Sequence, residues 1–262
     1  MTQTGHLYAD LSNYYDLFCA GVDYGEQCEF AHRVFRSFSG QAPAQNSRPA
    51  AQPRYLDLAC GTGPHIAHML AYGYQCSGLD NSADMLRMAQ ARCPQAQFIH
   101  ADMAALALDN CVELVSCFLY SIHYNHPLPA LHQTLARVWQ ALVPGGVFVF
   151  NMVDVRGINN HHVVSTELEH QGHQLRFKSG WTYCGQGDAM ALHLMVEDSY
   201  QGQTRQWQDV HTMAAITVDE MQHWLQHCGF EVTLLEHDYR SLQVFGGGSF
   251  NVLVVAVKPV SG

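Results

Sequence analysis

The stretch Leu56–Leu70, LDLACGTGPHIAHML, decides the fold. It reads as the end of an apolar strand that runs into a glycine-rich turn and then into a helix. Gly61 and Gly63 carry no Cβ, so the turn can be tight and a ligand can reach the backbone. The helix that follows offers free N–H groups and the positive end of its dipole to that ligand. Asp80, 17 residues past Gly63, ends the next apolar run, where a carboxylate can accept both hydroxyls of a ribose. A third acid, Asp102, ends the run after that.

Outward from this core, short apolar runs alternate with helical stretches. YLDLA, YQCSGLD, AQFIHAD, VELVSCFL and GGVFVFNM each read as a buried strand. Strands alternating with helices predict βαβ units, an α/β doubly wound sheet with helices on both faces. Residues 154–215 change character. HQLRFKSGWTY, MALHLMVEDSY and RQWQDVHTMAA have period two and are separated by glycine-containing turns, which predicts an antiparallel β insertion. TVDEMQHWLQHCGF reads as a helix opened by a Thr217–Glu220 capping box and ended by Gly229. Two strands follow. Met1–Phe38 is aromatic and helical in pattern, and Ser39–Pro53 has the composition of an exposed linker. The expected division is therefore 1–38 a helical lid, 39–53 a linker, 54–153 the α/β core, 154–215 the insertion, and 216–262 a helix and two strands completing the core.

At 262 residues and 48% apolar, the chain is not a disordered one. No apolar run approaches the roughly 18 residues that span a bilayer, and Met1–Asp10 lacks the pattern of a secretory signal. Against 13 Lys plus Arg stand 23 Asp plus Glu, which argues against a bulk nucleic-acid partner. Nine scattered cysteines with no CxxC pair predict reduced thiols and a cytoplasmic location. Seventeen histidines raise the question of a metal. His65 with His68, His161 with His162, and His170 with His173 lack the disciplined four-ligand spacing of zinc sites, so no metal is expected.

A dinucleotide site needs a third glycine where this chain has Ile66, and LVPGG also counts against an NAD-dependent oxidoreductase. The arrangement instead resembles the class I S-adenosylmethionine-dependent methyltransferases, whose first motif reads roughly D-x-G-C-G-T-G. Asp57, Cys60, Gly61, Thr62 and Gly63 match it, and Ala59 replaces a usual glycine. The resemblance also covers Asp80, Asp102 and LVPGGVFVF, so it spans roughly Tyr55–Asn151 plus the two-strand tail. It implies a Rossmann-like, mostly parallel seven-stranded sheet with the last strand antiparallel between the fifth and sixth. It implies S-adenosyl-L-methionine as cofactor. The Cys60–Gly63 backbone, beside Ala59, would face the methionine end, and Asp57 would help hold the ammonium. Asp80 would take the ribose hydroxyls, with Asn81 and Met85 beside the adenosine. Asp102 would bond the adenine amino group, with Met103 on the ring, and Ala101 and Phe118 complete the expected set.

The segment Tyr14–Tyr24 resembles the lid helix of small-molecule N-methyltransferases, including amino-sugar enzymes. Tyr15 and Tyr24 either close over the cofactor or pack in the core. After the fourth strand, FLYSIHYN delivers Tyr120, His123 and Tyr124 to the acceptor edge, with Asn151 and Met152 beyond the fifth strand. His123 is the candidate general base, its ordinary pKa being near 6.5. The other reading is that it only bonds substrate or backbone. Trp181, Tyr183 and Arg176 are candidate contacts on the insertion, which resembles a substrate platform or homodimer face. The expected activity is methyl transfer to a small molecule in a closed chamber, an amine favoured over a hydroxyl. A tRNA or protein methyltransferase and a catalytically silent, regulatory cofactor-binding protein remain the alternatives.

Overall fold

A computed structural model describes residues 2–4, 12–39 and 52–260, with the backbone alone for residues 2–4, 12 and 13. Most of the expected linker, residues 40–51, lies outside the described residues. The strands are β1 (Thr2–Thr4), β2 (Arg54–Leu58), β3 (Gln75–Asp80), β4 (Gln97–His100), β5 (Val112–Cys117), β6 (Leu142–Val153), β7 (Val163–His170), β8 (His173–Thr182), β9 (Ala189–Tyr200), β10 (Gln203–Ala214), β11 (Glu231–Glu236) and β12 (Asn251–Val257). The helices are α1 (Ser12–Phe18), α2 (Tyr24–Phe38), α3 (Pro64–Ala71), α4 (Ala83–Arg92), α5 (Leu128–Ala141) and α6 (Val218–His227).

Seven strands form one sheet in the order β11-β12-β6-β5-β2-β3-β4. β4, β3, β2, β5 and β6 run parallel, and β12 lies antiparallel between β6 and β11. This is the Rossmann-like α/β fold expected. Both faces are covered, which is why its strands are continuous apolar runs. Leu56, Leu58, Val115, Phe148, Phe150 and Val254 point to one side, against Leu131 and Leu135 of α5 and Met221 and Leu225 of α6. Tyr55, Leu114, Val147, Val149 and Val255 alternate to the other side, against α2 and α3.

The second sheet has the order β1-β10-β9-β8-β7, antiparallel from β10 to β7. Two features of the amino-terminal reading are corrected. Thr2–Thr4 is a strand parallel to β10 rather than helix. And the described helices of the expected 1–38 lid are not one cover: Phe30, Ala31 and Val34 make α2 a layer of the α/β core, at most 1% exposed. α1 packs elsewhere, with Tyr14, Tyr15, Leu17 and Phe18 against Leu175, Phe177, Leu194 and Val196 of the second sheet. β7 escaped the sequence reading because VVSTELEH is exposed almost throughout and so shows no apolar alternation. No described helix is long and apolar enough to cross a membrane.

Candidate active site

The turn after β2 is built on positive φ. Ala59, Gly61 and Gly63 stand at φ 54°, 53° and 79°. Asp80 closes that turn from the next strand: its Oδ2 accepts from the Gly61 amide at 2.9 Å and its Oδ1 from the Ser82 amide at 2.8 Å. Burial pushes the Asp80 carboxyl up, and those two amides oppose the rise. Above it opens a cleft of about 670 Å³. Tyr15, Ala59, Gly61, Asp80, Asn81, Met85, Ala101, Asp102 and Met103 all line it, so the structure gathers nine of the expected cofactor residues. Leu79, Ser121 and Tyr124 join them.

A smaller crevice of about 280 Å³ continues from the cleft and is lined by Tyr15, Tyr24, Asp57, Ala59, Cys60 and Phe118. Asp57 is 1% exposed. Its Oδ1 accepts from Ser116 Oγ at 2.7 Å, while its Oδ2 has no hydrogen-bond partner. His65 Nδ1 stands 3.5 Å from that oxygen, and His65 Nε2 meets Gln27 Oε1 at 2.7 Å. A buried carboxylate oxygen left unpaired is costly and calls for a cation or donor. The donor set thus fits the expected cofactor: a carboxylate at its ammonium end, backbone at positive φ along its middle, and acids at its ribose and adenine. Cys60 lines the crevice, but burial drives its thiol well up, so it is inert packing.

Thr62 and Gly63 do not line either cavity. Thr62 Oγ1 donates to Asp16 Oδ1 of α1 at 2.6 Å, and Arg92 bridges the two, donating to Thr62 O and to Asp16 Oδ2. Gly63 caps α3, where a Cβ would come within 3.2 Å of Ala89 Cβ. These two residues build the turn.

Beyond the cleft lies a chamber of about 1380 Å³ between the two sheets, partly open to solvent. Tyr15, Ser121 and Tyr124 line both spaces and form the passage between them. Tyr120, Phe177, Trp181, Leu192 and Phe250 line the chamber itself. Leu119 and Tyr120 are consecutive left-handed residues, at φ 55° and 61°, and the Tyr120 amide donates to Asn151 Oδ1 at 3.1 Å. Strain of this kind persists only where the surroundings hold it. Asn151 is therefore a brace rather than a lining residue, and Met152 points into the core. Arg176 faces away from the chamber, pairing with Glu167 and Glu197. Trp181 alone of the three insertion candidates lines it. Tyr183 packs beneath and donates to Gly187 O.

His123 is corrected. It is 0% exposed and lines none of these cavities. Its Nε2 accepts from the Val153 amide at 3.1 Å, so its Nδ1 carries the proton and donates to Ala214 O at 2.8 Å. Both ring nitrogens are spent on backbone, and burial lowers its pKa to about 4. It joins β6 to β10 and has no lone pair left for a substrate proton.

The sequence reading placed Tyr124 at the acceptor edge but missed its partners and two further groups. His65 sits beside Asp57. Tyr14 of α1 donates to Asp198 Oδ2 at 2.9 Å, and Asp198 Oδ1 meets His173. Tyr124 Oη meets His211 Nδ1 at 2.6 Å, and His211 Nε2 meets Asp209 Oδ2 at 2.8 Å. Polar residues on the inward-facing, part-buried register of β10, as 209 and 211 between Trp207 and Met213, are the signal that could have found the last pair.

Residues 56–146 match the model of a methyltransferase domain. Over 234 residues, 87% of this chain and 92% of the other, the chain is 28% identical to the dTDP-3-amino-3,4,6-trideoxy-alpha-D-glucopyranose N,N-dimethyltransferase of Streptomyces venezuelae. Its fold is similar to the crystal structure of Streptomyces venezuelae DesVI, with a TM-score of 0.78 at 24% identity over 96% of this chain and 99% of that one. It is also similar to S-adenosylmethionine-bound CalS10, an amino pentose methyltransferase from Micromonospora echinaspora, with a TM-score of 0.76 at 20% identity over 98% and 100%. Cleft, donor set, sheet order and likeness agree: residues 56–146 carry a methyltransferase domain, and the chain is similar over most of its length to S-adenosylmethionine-dependent methyltransferases.

Proposed function

We propose that the chain methylates the amine of a small molecule, an amino sugar or a ring compound of similar size. The observation that carries this is the chamber's lining: among the described residues it contains no Lys, Arg, Asp or Glu. A carboxylate acceptor would enter without a cation to pair with it, at the cost of an unpaired buried charge. A hydroxyl acceptor gains more from a strong base or a metal, and among the described residues no carboxylate lines the chamber. An amine needs positioning and the loss of a proton. Aromatic faces such as Trp181, Phe177 and Tyr120 suit an ammonium on entry. The relatives whose names specify amino sugars support the same class.

When bound, S-adenosylmethionine supplies an electrophilic methyl group on a sulfonium. Asp57 would hold its ammonium, Ala59–Gly61 its methionine chain, Asp80 its ribose and Asp102 its adenine, with Met85 and Met103 packing on the rings. Tyr15 and Tyr24 would close over it. Tyr15, Tyr120 and Tyr124 would fix the acceptor at the passage, and such alignment can supply roughly 7–11 kcal/mol of the barrier. His123 supports this wall from behind.

The test is to supply S-adenosylmethionine with dTDP-3-amino-3,4,6-trideoxy-α-D-glucopyranose and follow the product by mass spectrometry. Added methyl groups on nitrogen are expected. Methylation of a carboxylate or hydroxyl analogue in preference to the amine would overturn the reading. Cofactor binding with no turnover on any amine would favour a silent regulatory protein.

Nine unpaired cysteines support a reducing, cytoplasmic home. A second copy on the insertion's outer face would cover a groove holding Val163 and Val210, 57% and 58% exposed, and light scattering decides between monomer and dimer.

A further inference from the structure

We propose that Tyr124, backed by His211 and Asp209, removes the proton from the acceptor amine, a role that rests on the amine reading above. Tyr124 lies at the passage, lining both the cofactor cleft and the acceptor chamber. It belongs to the short helical turn Ser121–Tyr124, and His211 and Asp209 come from one face of β10 across the chamber's edge. The three groups form an unbroken file: Tyr124 Oη to His211 Nδ1 at 2.6 Å, His211 Nε2 to Asp209 Oδ2 at 2.8 Å. His211 and Asp209 side chains are 13% and 11% exposed, while Tyr124 itself is half-buried and reachable.

The order of protons follows from the end of the file. A carboxylate only accepts, so His211 Nε2 must carry hydrogen toward Asp209. In the neutral imidazole Nδ1 is then the acceptor, and the Tyr124 hydroxyl donates to it. The phenol oxygen therefore presents acceptor capacity toward the passage. In the step, an N–H bond of the ammonium breaks as an O–H bond forms on Tyr124. The original Tyr124 O–H breaks as an N–H bond forms on His211 Nδ1, and the imidazolium so made lies against the Asp209 carboxylate. The amine keeps its electron pair for attack. No oxidant or further reactant is required. The same logic, a hydroxyl served by an imidazole that a carboxylate orients, is a general way to make a weak base effective. Tyr124 is the group that meets the substrate; His211 and Asp209 act through it as positioning residues.

Two measurements test this. In the full chain labelled with ¹⁵N-histidine, long-range proton–nitrogen spectra, with His211 identified by its loss in His211→Gln, should show hydrogen on Nε2 and none on Nδ1. Asp209→Asn should erode that bias. Hydrogen on Nδ1 with Nε2 bare would overturn the proposal whatever the acceptor is. On the amine substrate, Tyr124→Phe, which keeps the ring that lines the passage and removes only the hydroxyl, should lower kcat on the order of 100-fold, a far larger change than in KM or in calorimetric S-adenosylmethionine affinity. Asp209→Asn should lower kcat less, and Asp209→Glu should recover part of it. Turnover of Tyr124→Phe within about twofold of wild type would sink the relay while leaving amine methylation standing. Failure of the wild type to methylate any amine would instead remove the donor named here and with it the proposal, even with the tautomer as expected.

Discussion

Ile66 of α3 lies against Gly78 of β3, so closely that a Cβ on Gly78 would stand 2.6 Å from Ile66 Cδ1 and 2.7 Å from Cys60 Sγ. The glycine that lets helix approach strand sits on the strand here, not in the turn motif. Gly78→Ala should therefore destabilise the chain by about 1–3 kcal/mol through overpacking. Gly78→Ala combined with Ile66→Ala should recover part of that loss. Urea unfolding of the two variants and of Ile66→Ala checks it, and additive losses would show that the contact is not the cause.

Ala59 bears a left-handed backbone, φ 54°, where the family motif has glycine. An L-residue there costs roughly 1–2 kcal/mol, offset in part by the greater freedom of glycine in the unfolded chain. Ala59→Gly is expected to raise the melting temperature, and to leave S-adenosylmethionine affinity the same or tighter because Ala59 lines both cofactor cavities.

Asn151 holds the strained Leu119–Tyr120 turn through one hydrogen bond. Asn151→Leu should cost about 1–3 kcal/mol of stability by leaving the Tyr120 amide unsatisfied. Because Tyr120 lines the acceptor chamber and not the cofactor cleft, KM for the acceptor should rise while S-adenosylmethionine affinity, by calorimetry, holds.

His123 carries a pH signature. Its folded pKa, near 4, is below the ordinary 6.5 because burial disfavours the charged ring. A depressed pKa gives stability that is full above 6.5 and is lost as pH falls toward 4, where the unfolded chain takes the proton first. The loss amounts to roughly 3 kcal/mol. In His123→Gln the unfolding free energy should lose that acid slope, and the basic limb of any activity profile should not move.

Tyr14 carries the opposite one. Burial first, and its bond to Asp198 second, push its phenol up to about 12. The stability this represents is full below pH 10 and is lost as pH rises toward 12. Trp207, whose ring centroid is 5.7 Å from that of Tyr14, should report the release as a fluorescence change. Tyr14→Phe should abolish the change between pH 10 and 12.

The sheet was legible because its strands are buried on two faces and so read as continuous apolar runs, and because the glycine turn after β2 marks the first crossing. Seven of the nine expected cofactor residues that line the cleft lie at or just past the ends of β2, β3 and β4, whereas Tyr15 comes from α1 and Met85 from α4. What escaped was set by tertiary contact. Nothing local tells that His123 spends both nitrogens on Val153 and Ala214, 30 and 91 residues away. Nor does the aromatic text of residues 14–38 tell that α1 faces the second sheet while α2 packs on the first. Arg176 was recoverable, since alternation with Leu175 and Phe177 turns it outward.

Tyr15 touches all three cavities, and the helix that carries it is anchored to both sheets, by Asp16 to Thr62 and Arg92 and by Tyr14 to Asp198. Cofactor cleft and acceptor chamber thus share one gate. Lifting that helix to exchange the cofactor also unroofs the acceptor, so a second methylation would begin from a rebound molecule. On any acceptor amine that takes two methyl groups, successive transfers should be distributive, with the singly methylated form building up in solution first.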